Sequence, residues 1–97
     1  MTKHTVTIGI QIIPKSEEKE TYDLVDKAIE VIQQSGIKYQ VTPFETVMEG
    51  NYDDIMKTCQ DAESAVLQEG ADECLVYYRI HYRKHDHVTF EEKNLDR

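Results

Sequence analysis

Between Thr5 and Ile13 apolar and polar residues alternate without a break, with Val6, Ile8, Ile10 and Ile12 on one side and Thr5, Thr7, Gly9 and Gln11 on the other. That period of two predicts a half-buried strand, which Pro14 ends. Downstream the period lengthens. Tyr22, Val25, Ile29 and Ile32, supported by Ala28, recur at helical spacing and predict a first helix. Ser16 is its expected cap, Glu17, Glu18 and Glu20 its acidic first turn, and Ser35-Gly36 its stop. Ile37, Tyr39 and Val41 then alternate with Lys38, Gln40 and Thr42 as a second strand, and after Pro43 a third runs to Glu49, so the two meet at a hairpin corner of two to three residues. Asn51 is placed to accept from the amide of Asp54 at the start of a second helix, whose apolar stripe is Ile55, Cys59, Ala62 and Val66 and whose end is Gly70. A fourth strand spans Cys74 to Lys84, with Val76, Tyr78, Ile80 and Tyr82 opposite Leu75, Tyr77, Arg79, His81 and Arg83. Thr89 and Glu92 have the spacing of a capping box and predict a short final helix.

The order βαββαβ plus a C-terminal helical turn defines an α+β, ferredoxin-like domain over residues 1–97. Its expected form is a four-stranded antiparallel sheet in spatial order 4-1-3-2, with both long helices on one face. A chain of 97 residues supports a single core and removes roughly 60 to 70% of its unfolded surface from water. The formal net charge of −8 argues against non-specific binding to nucleic acid or an anionic membrane and favours a cationic ligand. Short apolar runs and the start Met1-Thr2-Lys3-His4-Thr5 predict neither a spanning helix nor a secretory signal, and hence a cytoplasmic protein. Cys59 and Cys74 are too few and too far apart for a disulfide framework and are expected as free thiols. A chain this short also gains stability from oligomerisation.

Candidate chemistry concentrates in Thr42 to Gly50 and on the sheet face that the helices leave open. Alternation sends Gln40, Thr42, Glu45, Val47 and Glu49 to that open face, beside Thr7, Gln11, Tyr77 and Arg79. This mixture fits either a ligand with cationic and amide-like groups or a solvated face with weak cross-strand pairs. Thr46 shares the parity of Phe44 and Met48 and points toward the helices, where its hydroxyl needs either a backbone partner or a bound heterocycle. His81 and His85 lie about 13 Å apart on an extended strand and cannot share an ion there, whereas His85 and His87 can; an exposed polar strand end, without metal, is expected. Arg79, Arg83 and Lys84 form a basic stretch, but RNA recognition on such a sheet needs more aromatic platforms than Tyr77 supplies. No nucleophile–base pair or phosphate-cradling glycine loop is found, and Glu45 and Glu49 are too far apart along a strand, at about 13 Å, for the paired carboxylates of glycoside hydrolysis. The expectation is a protein that is not an enzyme.

Taken together, Ile12-Ile13-Pro14, Ser35-Gly36-Ile37-Lys38-Tyr39, Thr42-Pro43-Phe44-Glu45-Thr46-Val47-Met48-Glu49-Gly50 and Thr89-Phe90-Glu91-Glu92-Lys93 resemble the thiamine-binding protein family related to YkoF, across nearly the whole chain. The resemblance implies binding of thiamine or its hydroxymethylpyrimidine moiety without catalysis or a resident cofactor, in dimers or tetramers built through sheet edges and open faces. It places the ligand at Thr46, Glu49 and Gly50, with Glu45 and Phe44 beside them. Glu49 would accept from an aminopyrimidine, Thr46 would orient it, and Phe44 or Tyr77 would stack. Glu45 and Glu49 face away from Thr46 on a flat strand, so a shared ligand requires a bend near Glu49-Gly50 or a second subunit. The other reading is a structural or regulatory subunit whose open sheet face serves only protein contact.

Overall fold

A computed structural model of the protein describes residues 2–94. The elements are β1 (Val6–Lys15), α1 (Thr21–Gln34), β2 (Lys38–Val41), β3 (Thr46–Gly50), α2 (Tyr52–Glu69), β4 (Glu73–His81) and α3 (Phe90–Lys93). The sheet is antiparallel throughout, in order β2-β3-β1-β4, which is the expected ferredoxin-like arrangement. The register pairs Ile8 with Met48 on one side and with Ile80 on the other, and Gly9 with Val47 and Arg79. Directly opposed residues share a face, so the apolar set of β1 meets the helices as its alternation predicts. Val6, Ile8, Ile10 and Met48 pack with Leu24, Ala28 and Ile32 of α1 and with Ile55, Cys59, Ala62 and Val66 of α2 in one buried core.

Several boundaries differ from the expected ones, each for a local reason. Pro14 does not end β1. The strand runs on to Lys15, paired with β4 alone beyond Ile10, and proline is tolerated where a strand has a neighbour on one side only. Ser16 does not cap α1 either: its hydroxyl accepts from the amides of Glu18 and Lys19 and closes a turn, and the helix begins at Thr21 after Glu20, which makes no side-chain cap. Glu17, Glu18 and Glu20 therefore all precede the helix, and the acid in its first turn is Asp23. The core stripe of α1 is Leu24, Ala28 and Ile32, which leaves Tyr22 83% exposed and Val25 and Ile29 half-buried on its shoulder. β4 stops at His81, short of Lys84.

α2 and α3 begin as expected. Asn51 accepts from Asp54 N at 3.1 Å, and the Thr89/Glu92 capping box is fully formed. The position of α3 is the new feature. The second sheet face is not left open at its lower end, because the segment leading into α3 folds across it. Val88 donates to Thr5 O at 2.9 Å, Thr7 Oγ1 donates to Val88 O at 3.3 Å, and Val88 and Phe90 are buried. Arg83 holds the far side through a paired contact of both its terminal nitrogens with Glu92, at 2.7 Å each. Thr7 and Val47, on the same face, are buried as well. Among the described residues no helix is long and apolar enough to cross a membrane.

Candidate functional site

The corner between β2 and β3 takes four residues, one more than the longest expected turn, and Thr42 builds it. Its hydroxyl donates to Glu45 O at 2.7 Å and accepts from the amides of Phe44 and Glu45, while its own amide donates to Glu45 O at 2.9 Å. One side chain thus satisfies the backbone of the turn, and Phe44 is left standing out from it, 78% exposed. β3 then starts at Thr46, whose side chain turns under the corner toward α1 and is buried.

Facing the corner is the shoulder of α1. Tyr22, Val25, Asp26 and Ile29 follow the i, i+3, i+4, i+7 spacing of one helix face. Because Leu24, Ala28 and Ile32 fill the core, this neighbouring face is free to line a surface groove. Ile10 and Ile12 of β1 contribute from the sheet, and Val41, Pro43, Phe44 and Thr46 close the hairpin side. The groove has a volume of about 580 Å³, within the ~300–1,000 Å³ common for small-molecule sites. Two of the most exposed aromatic side chains of the chain, Tyr22 and Phe44, stand at it from opposite walls. The Thr46 side chain borders the same space.

Asp26 and Glu45 are the charged residues that line the groove. Their situations differ. Glu45 lays its carboxylate across Gly9, where a Cβ would overlap it, and forms an ion pair with Arg79 on the opposite sheet face. Asp26 has no ion-pair partner among the described residues. A second hollow of about 420 Å³ lies between the end of α1 and α2, but Lys57 and Asp61 in its wall already pair at 3.1 Å.

Of the residues expected from the sequence, Phe44 and Thr46 come together at the groove; Glu45 also lines it, but its carboxylate turns to Arg79 on the open face, where the alternation placed it. Glu49 and Tyr77 do not. β3 runs straight through Val6↔Gly50 pairing, without the bend a single shared surface would need. Glu49 stays on the face opposite Thr46, where its Oε2 accepts from the Phe90 amide at 2.6 Å and its Oε1 lies 3.9 Å from Lys38 Nζ. Tyr77 is half exposed on that face, opposite Gln11 in the register. Sequence reasoning missed Asp26 and assigned Tyr22 to the core. The signal was present in α1: Leu24, Ala28 and Ile32 alone make a complete i, i+4, i+8 stripe, which leaves the Tyr22 face unemployed. Two of the histidines have defined neighbours. His81 Nδ1 lies 2.7 Å from Lys93 Nζ, and His87 Nδ1 accepts from the Thr5 amide at 2.8 Å.

The model of a family described as thiamine-binding protein matches residues 8–96 of this chain. In sequence the chain is similar to a UPF0045 protein of Clostridium perfringens, 37% identical over 89 residues that make up 92% of this chain and 93% of the relative. In structure it is similar to a domain of unknown function from Bacillus cereus, with a TM-score of 0.90 and 40% identity over 93% of this chain and 86% of that one. A protein of Thermotoga maritima proposed to act in thiamine biosynthesis or salvage is also similar, with a TM-score of 0.84 and 30% identity over 95% of this chain and 97% of that one.

Proposed function

The chain belongs to the thiamine-binding protein family, and from that premise we propose that it binds thiamine, or its hydroxymethylpyrimidine moiety, in the groove between α1 and the β2–β3 corner. The observation that carries this reading is the pairing of Tyr22 and Phe44, 83% and 78% exposed, across an apolar groove that also contains an unpaired carboxylate. Large aromatic faces left in water are costly for a small fold and useful to a flat heterocycle. A thiazolium gains about 0.5–2 kcal/mol from an aromatic face, depending on how dry the contact becomes. Asp26 supplies the counter-charge, and Thr46, in the groove wall, carries a hydroxyl that can bond a pyrimidine nitrogen or amino group. Glu49 takes a structural role in this reading, since its carboxylate is already committed to α3.

The protein acts as a carrier, buffer or sensor rather than as an enzyme, and as a homo-oligomer. Self-association is supported by β4, a sheet edge that pairs on one side only and carries Leu75 at 45% and Tyr77 at 52% exposure. Isothermal titration with thiamine and with hydroxymethylpyrimidine tests the binding. Heat of binding is expected from the wild-type chain, and a loss of about tenfold in affinity from Phe44→Ala or Tyr22→Ala. Absence of both heat and a thermal shift at about 1 mM of either ligand removes the proposal. Light scattering that shows a monomer at micromolar concentration removes its oligomeric part.

A further inference from the structure

We infer that the groove discriminates by charge: it accepts the unphosphorylated cation and turns away phosphate esters of the same ligand. This rests on the reading above that thiamine is bound there. Both charged residues in the lining, Asp26 and Glu45, are acidic, and no lysine or arginine contributes to it among the described residues. Two of the basic residues nearest in sequence are paired elsewhere. Lys15 pairs with Glu73 at 3.8 Å, Lys27 with Glu30 at 3.4 Å, and the Lys19 stem lies against Gly70. The single arginine in reach of the corner, Arg79, is held by Glu45 on the other sheet face.

One feature works in the opposite direction. α1 starts beside the groove at Thr21, and a helix N-terminus with no side-chain cap attracts anions. That end is already surrounded by negative charge, with Glu17, Glu18 and Glu20 ahead of it and Asp23 and Asp26 in its first two turns. A phosphate monoester carries about −1.5 to −2 near neutral pH, enough to reverse the sign of a singly positive ligand. Beside the unpaired Asp26 carboxylate and an acidic helix start, that charge meets repulsion and has no cation to offset its lost hydration. Asp26 is the residue that sets the preference, because its charge is the unpaired one.

Binding of thiamine, thiamine monophosphate and thiamine diphosphate is compared by equilibrium dialysis with the full chain, without divalent cation, at low and at moderate salt. The expected order is thiamine tightest, the monophosphate weaker by at least about tenfold and the diphosphate weaker still, with the gap narrowing as salt rises. Asp26→Asn is expected to weaken thiamine and shrink the gap, and Asp26→Lys to close or reverse it, with both variants melting like wild type because Asp26 is exposed. Equal or tighter binding of the monophosphate by the wild-type chain overturns the inference and leaves thiamine binding in place. Failure of all three compounds to bind removes both.

Discussion

Replacing Glu49 by alanine separates the two jobs a carboxylate at the end of β3 can do. In the folded chain Glu49 Oε2 accepts the Phe90 amide at 2.6 Å, and a hydrogen bond to a charged acceptor contributes about 1.5–3 kcal/mol. The carboxylate also sits at the first turn of α3, worth ~0.3 kcal/mol for so short a helix. Lys38, 3.9 Å away and half exposed, adds less than ~0.5 kcal/mol. The expected cost is therefore about 2–3 kcal/mol, which for a domain of this size lowers Tm by roughly 10–20 °C. Thermal melts followed by far-UV circular dichroism measure the total, and amide exchange at Val88 and Phe90 shows where it falls. Both amides are expected to lose protection before the core strands do. Thiamine affinity, referred to the folded fraction, is expected to stay within about threefold of wild type, because the groove lies on the other side of the sheet. A melt within about 3 °C of wild type refutes the bracing role, and a loss of about tenfold in affinity returns Glu49 to the binding site.

Glu92 gives a pH-dependent counterpart. Its hydrogen bonds from Arg83, foremost, and from the Thr89 amide hold its carboxyl at about 2 against an ordinary value of 4.5. A depressed carboxylate stabilises the fold above the unfolded value and loses that contribution as pH falls toward the folded one, so Glu92→Gln is expected to melt below wild type near neutral pH and to converge with it between pH 4.5 and about 2; a constant difference across that window counts against the Arg83–Glu92 latch. Burial, and then Glu63, pushes the Cys59 thiol up to about 12, so a thiol reagent near pH 8 is expected to modify half-buried Cys74 in the native chain and Cys59 only on unfolding, as mass spectrometry of the labelled peptides reports. Native labelling of Cys59 first contradicts the packing described. Phe90→Ala is expected to cost about 3–5 kcal/mol and to expose Thr7 and Val47, read as greater dye binding together with the lost stability.

Local patterns carried most of the fold. The alternation of β1 fixed both faces of the central strand, the Ile55 to Val66 spacing fixed the buried side of α2, and the Asn51 and Thr89 caps involve partners only three residues away. Where two local solutions compete, the sequence is ambiguous. Ser16 fits a helix cap and a serine turn equally well, and the turn forms because the chain must swing from β1 to α1 before a helix can start. The stripe read as the core of α1, Tyr22, Val25, Ile29 and Ile32, is rotated from the buried one for another reason: the helix has apolar residues on two adjacent faces, and only packing against β1 and α2 decides which is core. The Glu45–Arg79 pair is of the cross-strand kind that the alternation allowed, whereas the place of α3 depends on contacts between distant residues, such as Glu49 with Phe90 and Thr7 with Val88, which no periodicity encodes.

The meeting of Thr5 with His87 and Val88 has a consequence for the order in which the molecule can be completed. These bonds join residues more than eighty positions apart, so the first strand and the last segment close the chain almost into a ring. Every other contact of β1 with β3, α1 and α2 is available once residues up to 69 have been made, whereas the cover over Thr7 and Val47 waits for residues 88–93. A growing chain therefore shows that sheet face to the ribosome surface and to chaperones until the final turn arrives, and the long loop it closes is the slow, high-contact-order step of folding.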